Sequence, residues 1–127
     1  MPMDFHWTDD SKTVLHFVAD PIWNWNDLHK NLRRSALRID EVNHAVEVII
    51  DLTNSVRMPS GAIAHLRSLV RPLHKNTPAR KIVIGVPAAL QTDIGAIDHV
   101  YTAPTGHVYF TESLETALAL IHSFSEA

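Results

Sequence analysis

Apolar and polar positions alternate at the start of the chain, which predicts a β-hairpin. A single polar residue separates Phe5 from Trp7, as in a strand that buries one face, and residues 13–18 form a second apolar run. The polar turn cluster of residues 9–12 lies between these two runs. We therefore expect two antiparallel strands in this part of the chain.

Three longer segments carry the three-to-four-residue apolar spacing of amphipathic helices. The first helix is predicted over residues 25–41, where Asn24 suits the N-cap and Asp27 falls at the third helical position. The second is predicted within residues 61–75, with its first helical residue at about Ala62. The last helix follows Ser113, which is its predicted N-cap. Their apolar faces consist of Trp25, Leu28, Leu32, Ala36 and Ile39 in the first helix, Ile63, Leu66, Val70 and Leu73 in the second, and Leu114, Ala117, Leu118, Ile121 and Phe124 in the last.

The remaining apolar runs predict further strands. Residues 46–52 and 81–86 are rich in β-branched residues, which is typical of central strands covered on both faces. Residues 88–97 are weakly helical, and residues 107–111 form a last strand. The predicted order is therefore β-β-α-β-α-β-(α)-β-α. A hairpin followed by alternating helices and strands predicts the α/β class, as a single domain over residues 1–127 with a mixed β-sheet and helical cover.

Composition narrows the classes of function. The 127 residues suit one domain, and 46% hydrophobic with 20% charged residues is ordinary for a globular protein. A net charge of −3 with neutral histidines does not indicate a nucleic-acid partner. Cysteine is absent, so disulfides, thiolate metal sites and a cysteine nucleophile are excluded. The acidic start MPMDFHWTDD does not resemble a signal peptide, and no apolar run approaches about 20 residues. We therefore predict a cytoplasmic protein without a transmembrane segment.

The segment AVEVIIDLTNSVRMPSG, residues 45–61, carries the candidate functional site. A predicted strand ends at Asp51, a polar loop follows, and Ser60-Gly61 opens the second long helix. Free N–H groups and the helix dipole favour an anion there, and Arg57 is close enough in sequence to pair with a phosphate. The functional interpretation is a phosphorylated Ser60 or a bound phosphate group. The alternative is that Ser60 only caps the helix.

Other residues of this loop allow further interpretations. Thr53 and Ser55 are weaker alternative phosphate acceptors. Asp51 can hold a metal, pair with Arg57, or accept hydrogen bonds from loop N–H groups, since carboxylates at strand ends often line ligand crevices. The indoles of Trp23 and Trp25 are either core residues or, if exposed, anchors for a partner or a lipid pocket.

The nine histidines do not show a metal-binding pattern. None forms the i,i+4 pair of helical zinc sites, and HExxH is absent. His16 and His107 lie on predicted strands and can meet across the sheet. A triad of Ser60, a histidine and Asp51 is conceivable, but no GxSxG nucleophile elbow accompanies it. GxGxxG and P-loop signatures are also absent, so we expect no cofactor, no metal and no enzyme activity.

Basic residues recur at helical spacing along both predicted long helices. Such stripes are usually solvated faces, and they can also contact acidic partners or phospholipid head groups. The stripes consist of Lys30, Arg34 and Arg38 on the first helix, and of Arg67, Arg71 and Lys75 on the second.

Asp51-Leu52 at the strand end and Ser60-Gly61 at the helix start resemble the switch region of STAS domains, the fold of bacterial anti-sigma-factor antagonists. The resemblance continues through KIVIGV and ESLETAL, and loosely covers residues 13–121. Met58 stands where the family has aspartate, and Pro59 stands at its phosphoacceptor position. The chain is therefore more similar to the divergent SpoIIAA-like proteins, which share a topology with the lipid-binding CRAL-TRIO group.

This resemblance implies a non-enzymatic regulatory or protein-interaction module, with an anti-sigma-factor-like regulator or a kinase as partner. The expected partner surface consists of the loop and the exposed face of the second helix, modulated by phosphate at Ser60. Its expected residues are Asp51, Arg57, Met58, Ser60, Gly61, Arg67, Arg71 and Lys75, with Trp23 and Trp25 if exposed. The alternative is a carrier of a lipid or small molecule, in which the tryptophans and Met58 line an apolar pocket and Arg57 holds an anionic head group. An exposed tryptophan or the hairpin edge can also support a homodimer.

Overall fold

A computed structural model describes residues 2–125 and shows an α/β fold built on a mixed six-stranded sheet. The strands are β1 (Met3–Trp7), β2 (Val14–Ala19), β3 (Glu47–Asp51), β4 (Arg80–Ile84), β5 (Val100–Ala103) and β6 (Gly106–Thr111). The helices are α1 (Trp25–Ile39), α2 (Ala62–Ser68), α3 (Ala88–Ile94) and α4 (Leu114–Ser125). The predicted α/β class with a mixed sheet and helical cover is confirmed.

The strand order is β1-β2-β3-β4-β6-β5. The strands β2, β3, β4 and β6 run parallel, and the outer strands β1 and β5 run antiparallel to their neighbours. The predicted hairpin is β1–β2, in which Phe5 lies opposite Phe17 with ring centroids 5.2 Å apart.

Alternating side chains divide the core into two layers, one on each face of the sheet. On one face α1, α2 and α3 pack on residues that include Phe17, Val48 and Ile50. On the other face α4 packs on Ile49 and Ile82. Because β3 and β4 are covered on both sides, their runs are apolar without alternation, as the sequence predicted.

Helix α1 begins as predicted. The Asn24 side chain accepts a hydrogen bond from the Asp27 N–H at 2.9 Å, and the Asp27 carboxylate accepts one from the Asn24 N–H at 3.0 Å. This reciprocal capping box satisfies two backbone N–H groups at the start of the helix.

The second long helix was predicted wrongly, because α2 ends at Ser68 and not near residue 75. Beyond it, residues 69–71 continue in turns whose N–H groups bond three residues back. Pro72 lacks an N–H donor and disfavours the helical conformation at Arg71. Val70 is nonetheless buried, so the apolar spacing persists past the end of the helix.

A further strand was not predicted. Strand β5 pairs with β6 around a two-residue turn at Pro104-Thr105, with Ala103 opposite Gly106. The weak helical pattern over 88–97 also shortens to α3, which ends where Gly95 takes a φ of 92° as its C-cap.

Candidate interaction site

Two buried tryptophans hold the loop of residues 52–61, which joins β3 to α2. The Trp23 Nε1 donates to the Ser55 hydroxyl at 2.7 Å. The Trp25 Nε1 donates to the carbonyl oxygen of Ser60 at 3.0 Å and to that of Pro59 at 3.2 Å. Each tryptophan is only 5% exposed, and their rings meet edge to face at 4.7 Å. Both rings therefore have the core role, and neither is exposed as the alternative of a partner anchor requires.

The three hydroxyls of the loop differ in how they are bound. The Ser55 hydroxyl accepts from Trp23 and donates to the carbonyl oxygen of Arg57 at 2.7 Å. The Thr53 hydroxyl donates to the Asp51 carboxylate. Ser60 is exposed, and its hydroxyl has no hydrogen-bond partner among residues 2–125. Of the three hydroxyls, that of Ser60 is therefore the one that takes no part in hydrogen bonds among the described residues.

The hypothesis that Ser60 caps the second helix is wrong, as the start of α2 shows. Gly61 is the N-cap, no side chain caps the helix, and its φ of 86° lies in the left-handed region that favours glycine. A Cβ on Gly61 would lie 3.2 Å from the Cδ2 of His65. Ser60 is therefore not held by a capping role.

Apolar side chains surround Ser60 on the protein surface. Ile22 is 78% exposed and Val56 is 69% exposed, and the Val56 N–H donates to the carbonyl oxygen of Pro21 at 3.0 Å. One groove of about 460 Å³ lies between residues 21–23 and 56–60, and another of about 530 Å³ follows residues 58–64. Both grooves share residues 58–60. We call this surface the apolar loop surface; it consists of Ile22, Val56, Met58, Pro59 and Ile63.

Arg57 is the basic residue of the first groove. It is exposed, and its guanidinium makes no ion pair within the part of the chain that the structure describes. The predicted Asp51–Arg57 pair is therefore not formed, and Arg57 is available to an anionic group.

Asp51 instead binds the loop and the neighbouring strand. Its carboxylate accepts from the Thr53 N–H at 2.9 Å, as one of the sequence alternatives predicted, and from the His16 Nε2 at 2.9 Å. Burial by itself would raise the pKa of Asp51, but the hydrogen bonds from Thr53 and the bond and charge of His16 lower it below its ordinary value. The His16 ring also lies edge to face on His6, with centroids 5.1 Å apart.

We expect Asp51→Asn to lower the free energy of unfolding by about 1–3 kcal/mol at pH 7, because it removes a charged acceptor from a mostly buried network. Urea titration measures this effect. The folded-state pKa is the lower one, so the contribution of Asp51 is complete above the ordinary value of 3.8 and is lost as the pH falls through the folded-state value. Asp10→Asn, at an exposed turn position, is the matched control and should change stability by less than about 0.5 kcal/mol. Equal effects of the two changes would contradict the assigned network.

The predicted contact between His16 and His107 is wrong, and a different histidine contact was not predicted. His16 and His107 do not meet, because β3 and β4 separate their strands, and His107 bonds the Thr102 hydroxyl at 3.0 Å. Residues 2–125 contain no group of three or more His, Asp or Glu side chains placed to hold a metal ion. The His16–Asp51 bond was missed, although His16 lies at an alternating strand position and Asp51 at a strand end.

The second basic stripe is not a helix face. Arg67 lies on α2, where its Nε donates to the carbonyl oxygen of Ile94 at 3.0 Å and its guanidinium lies 5.8 Å from the Tyr101 ring centroid. Arg71 and Lys75 are exposed but lie beyond the end of α2. The predicted continuous stripe of Arg67, Arg71 and Lys75 is therefore wrong.

Comparison of the chain with protein-family models, curated proteins and solved structures gives no match. The resemblance to STAS domains therefore stays a prediction. Across residues 2–125, no helix combines the length and apolar character needed to cross a bilayer.

Proposed function

We propose that this protein is a non-enzymatic regulatory or protein-interaction module, and that its partner binds the apolar loop surface around Ser60. The observation that carries the proposal is the free, exposed hydroxyl of Ser60 between two grooves of a loop that tryptophans hold in place. Exposed apolar patches rimmed by polar groups are typical of protein interaction sites. The resemblance to anti-sigma-factor antagonists supports a regulatory partner of that kind.

Phosphate on Ser60 would act on the partner surface rather than on the fold. It adds about 1.5 to 2 negative charges at pH 7, in the middle of apolar residues that the partner must desolvate. Arg57 lines the same groove and is free to pair with this charge. Since the Ser60 hydroxyl has no structural bond among the described residues, its modification leaves the loop intact.

Partner binding should weaken about tenfold or more for Val56→Asp, because it places a charge in the proposed contact. Ser60→Asp should weaken it in the same direction, and Ser60→Ala should preserve it. Leu37→Asp is the matched control, since Leu37 is also an exposed apolar residue but lies on α1 outside this surface. Partners are identified by quantitative affinity capture from the native host and then titrated calorimetrically as purified proteins. If Val56→Asp and both Ser60 variants bind every such partner as the unmodified chain does, the proposal is wrong.

A carrier of a lipid or small molecule is the second candidate, and one groove favours it. Trp23, Met58 and Arg57 line the groove of about 460 Å³, which is within the range of small-molecule sites. Trp25 donates to the loop carbonyls instead and is not among the residues that line this groove. Native mass spectrometry of gently purified protein separates the candidates: a non-covalent ligand mass supports the carrier, and a phosphate adduct on Ser60 supports the interaction module. The same spectrum shows whether the protein is a monomer or a homodimer.

A further inference from the structure

A second site lies away from the Ser60 loop, in a cavity of about 540 Å³ between α1 and the segment of residues 64–73. Its lining contains hydroxyl and apolar groups, but its ionisable residues are all basic. They are His29, Arg33, His65, Arg71 and Lys81. No carboxylate is among the lining residues. The five side chains come from separate stretches of the chain, and the fold brings them to one cavity.

Lys81 is the most unusual member of this group. It is only 6% exposed, and its Nζ donates to the carbonyl oxygens of Leu69 at 2.8 Å and Arg71 at 2.7 Å. No acidic side chain in the described part of the chain pairs with it. Burial of an ammonium group without a counter-ion is costly, and it lowers the pKa of Lys81 to about 8. At neutral pH the cavity therefore contains a largely protonated amine that lacks an anionic partner.

The two histidines add directed polar groups. The His29 Nε2 lies 3.0 Å from the His65 Nδ1, and the His65 ring stacks on Trp25 with a centroid distance of 5.0 Å. Burial lowers the pKa of His29, and its electrostatic interactions with His65, Arg33 and Arg71 lower it further. The three residues that lower it all line the same cavity.

We propose that this cavity binds a small anion of the phosphate class, such as a phosphomonoester or a diphosphate. Arginine guanidinium groups match phosphate oxygens with paired donors, and Arg33 and Arg71 both line the cavity. The volume exceeds that of a single phosphate, so it accommodates the organic part of a metabolite. This site is distinct from the partner surface around Ser60, because it shares no lining residue with the first groove and only Ala64 with the second.

The probe is pyrophosphate at constant ionic strength. Its binding is measured by calorimetry and by NMR of the histidine rings. We expect saturable one-to-one binding that shifts the signals of His29 and His65. Arg33→Gln and Arg71→Gln should each weaken binding on the order of tenfold, because each removes a charged donor. Arg34→Gln and Lys75→Gln change the net charge equally but lie outside the cavity lining, so they should leave the affinity within about twofold.

Equal losses for Arg33→Gln and Arg34→Gln would overturn the proposal, because they would show general attraction to surface charge. Absence of saturation at millimolar pyrophosphate would overturn it as well. If pyrophosphate shifted only the NMR signals of Arg57 and Ser60, the anion would be bound at the loop, and this result would also refute the site. None of these outcomes bears on whether Val56→Asp disrupts partner binding, so the two proposals fail separately.

Discussion

Trp25→Ala should lower the free energy of unfolding by about 3–5 kcal/mol, the range for truncating a buried tryptophan. Trp25 lies in the main core, stacks on His65 and donates to two loop carbonyls. The substitution therefore removes apolar burial and also releases the end of the loop that leads into α2. Urea unfolding monitored by circular dichroism measures the loss. Amide hydrogen exchange over residues 55–61 should quicken in the same variant.

Two further variants divide this effect into its parts. Trp25→Phe keeps an aromatic ring in the core but loses the indole N–H and part of the buried ring, so it should cost about 0.5–1.5 kcal/mol for hydrogen bonding and somewhat more for the lost volume. Leu37→Ala on the exposed side of α1 should change stability by less than about 0.5 kcal/mol. A Trp25→Ala variant as stable as Leu37→Ala would show that the tryptophan does not hold the loop.

The elements that sequence predicted well are those in which local chemistry and burial agree. Asn24 and Asp27 supply a complete capping box, and the β-branched run of β3 lies in the centre of the sheet, so both were recognised. The predicted second helix was longer than α2 because apolar spacing indicates which side chains are buried and not which backbone carbonyls are bonded within a helix. After Ser68 the carbonyls of Leu69 and Arg71 bond Lys81, a residue on another strand.

The candidate site shows the same division. The sequence predicted a candidate site in the loop around Ser60, because a strand end, a polar loop and a helix start are local features. It did not predict that Ser55 and Thr53 use their hydroxyls within the structure, because their partners Trp23 and Asp51 depend on the fold or on loop geometry. The basic cavity could not be predicted at all, since its residues lie up to 52 positions apart in the chain.

Because of Lys81, the free energy of unfolding should rise by up to about 3 kcal/mol between pH 7 and pH 10.5, and a variant without this amine should lack that rise. Its pKa falls from 10.5 in the unfolded chain to about 8 in the folded protein. Below pH 8 both states carry the proton, so the folded state bears the cost of a buried ammonium. Between pH 8 and 10.5 the folded state releases the proton while the unfolded chain keeps it, so the free energy of unfolding rises with pH.

Lys81→Met is the comparison that isolates this effect, because other groups also titrate in this range. Urea unfolding from pH 7 to 10.5 should show the natural chain gaining on the variant, with the gain complete near pH 10.5. Lys75→Met, at an exposed position, should follow the natural chain throughout. Parallel curves for the natural chain and Lys81→Met would show that burial does not depress the pKa of Lys81.

The same titration connects the stability of the fold to the proposed anion site. A phosphate group beside Lys81 favours the charged amine, so it should raise the pKa back toward its ordinary value. In saturating pyrophosphate the alkaline gain in stability should therefore move to higher pH and become smaller. By linkage, the affinity for pyrophosphate should fall between pH 8 and 10.5 in the natural chain, and Lys81→Met should lack this part of the fall. An alkaline gain that pyrophosphate leaves unchanged would mean that the anion does not bind next to Lys81.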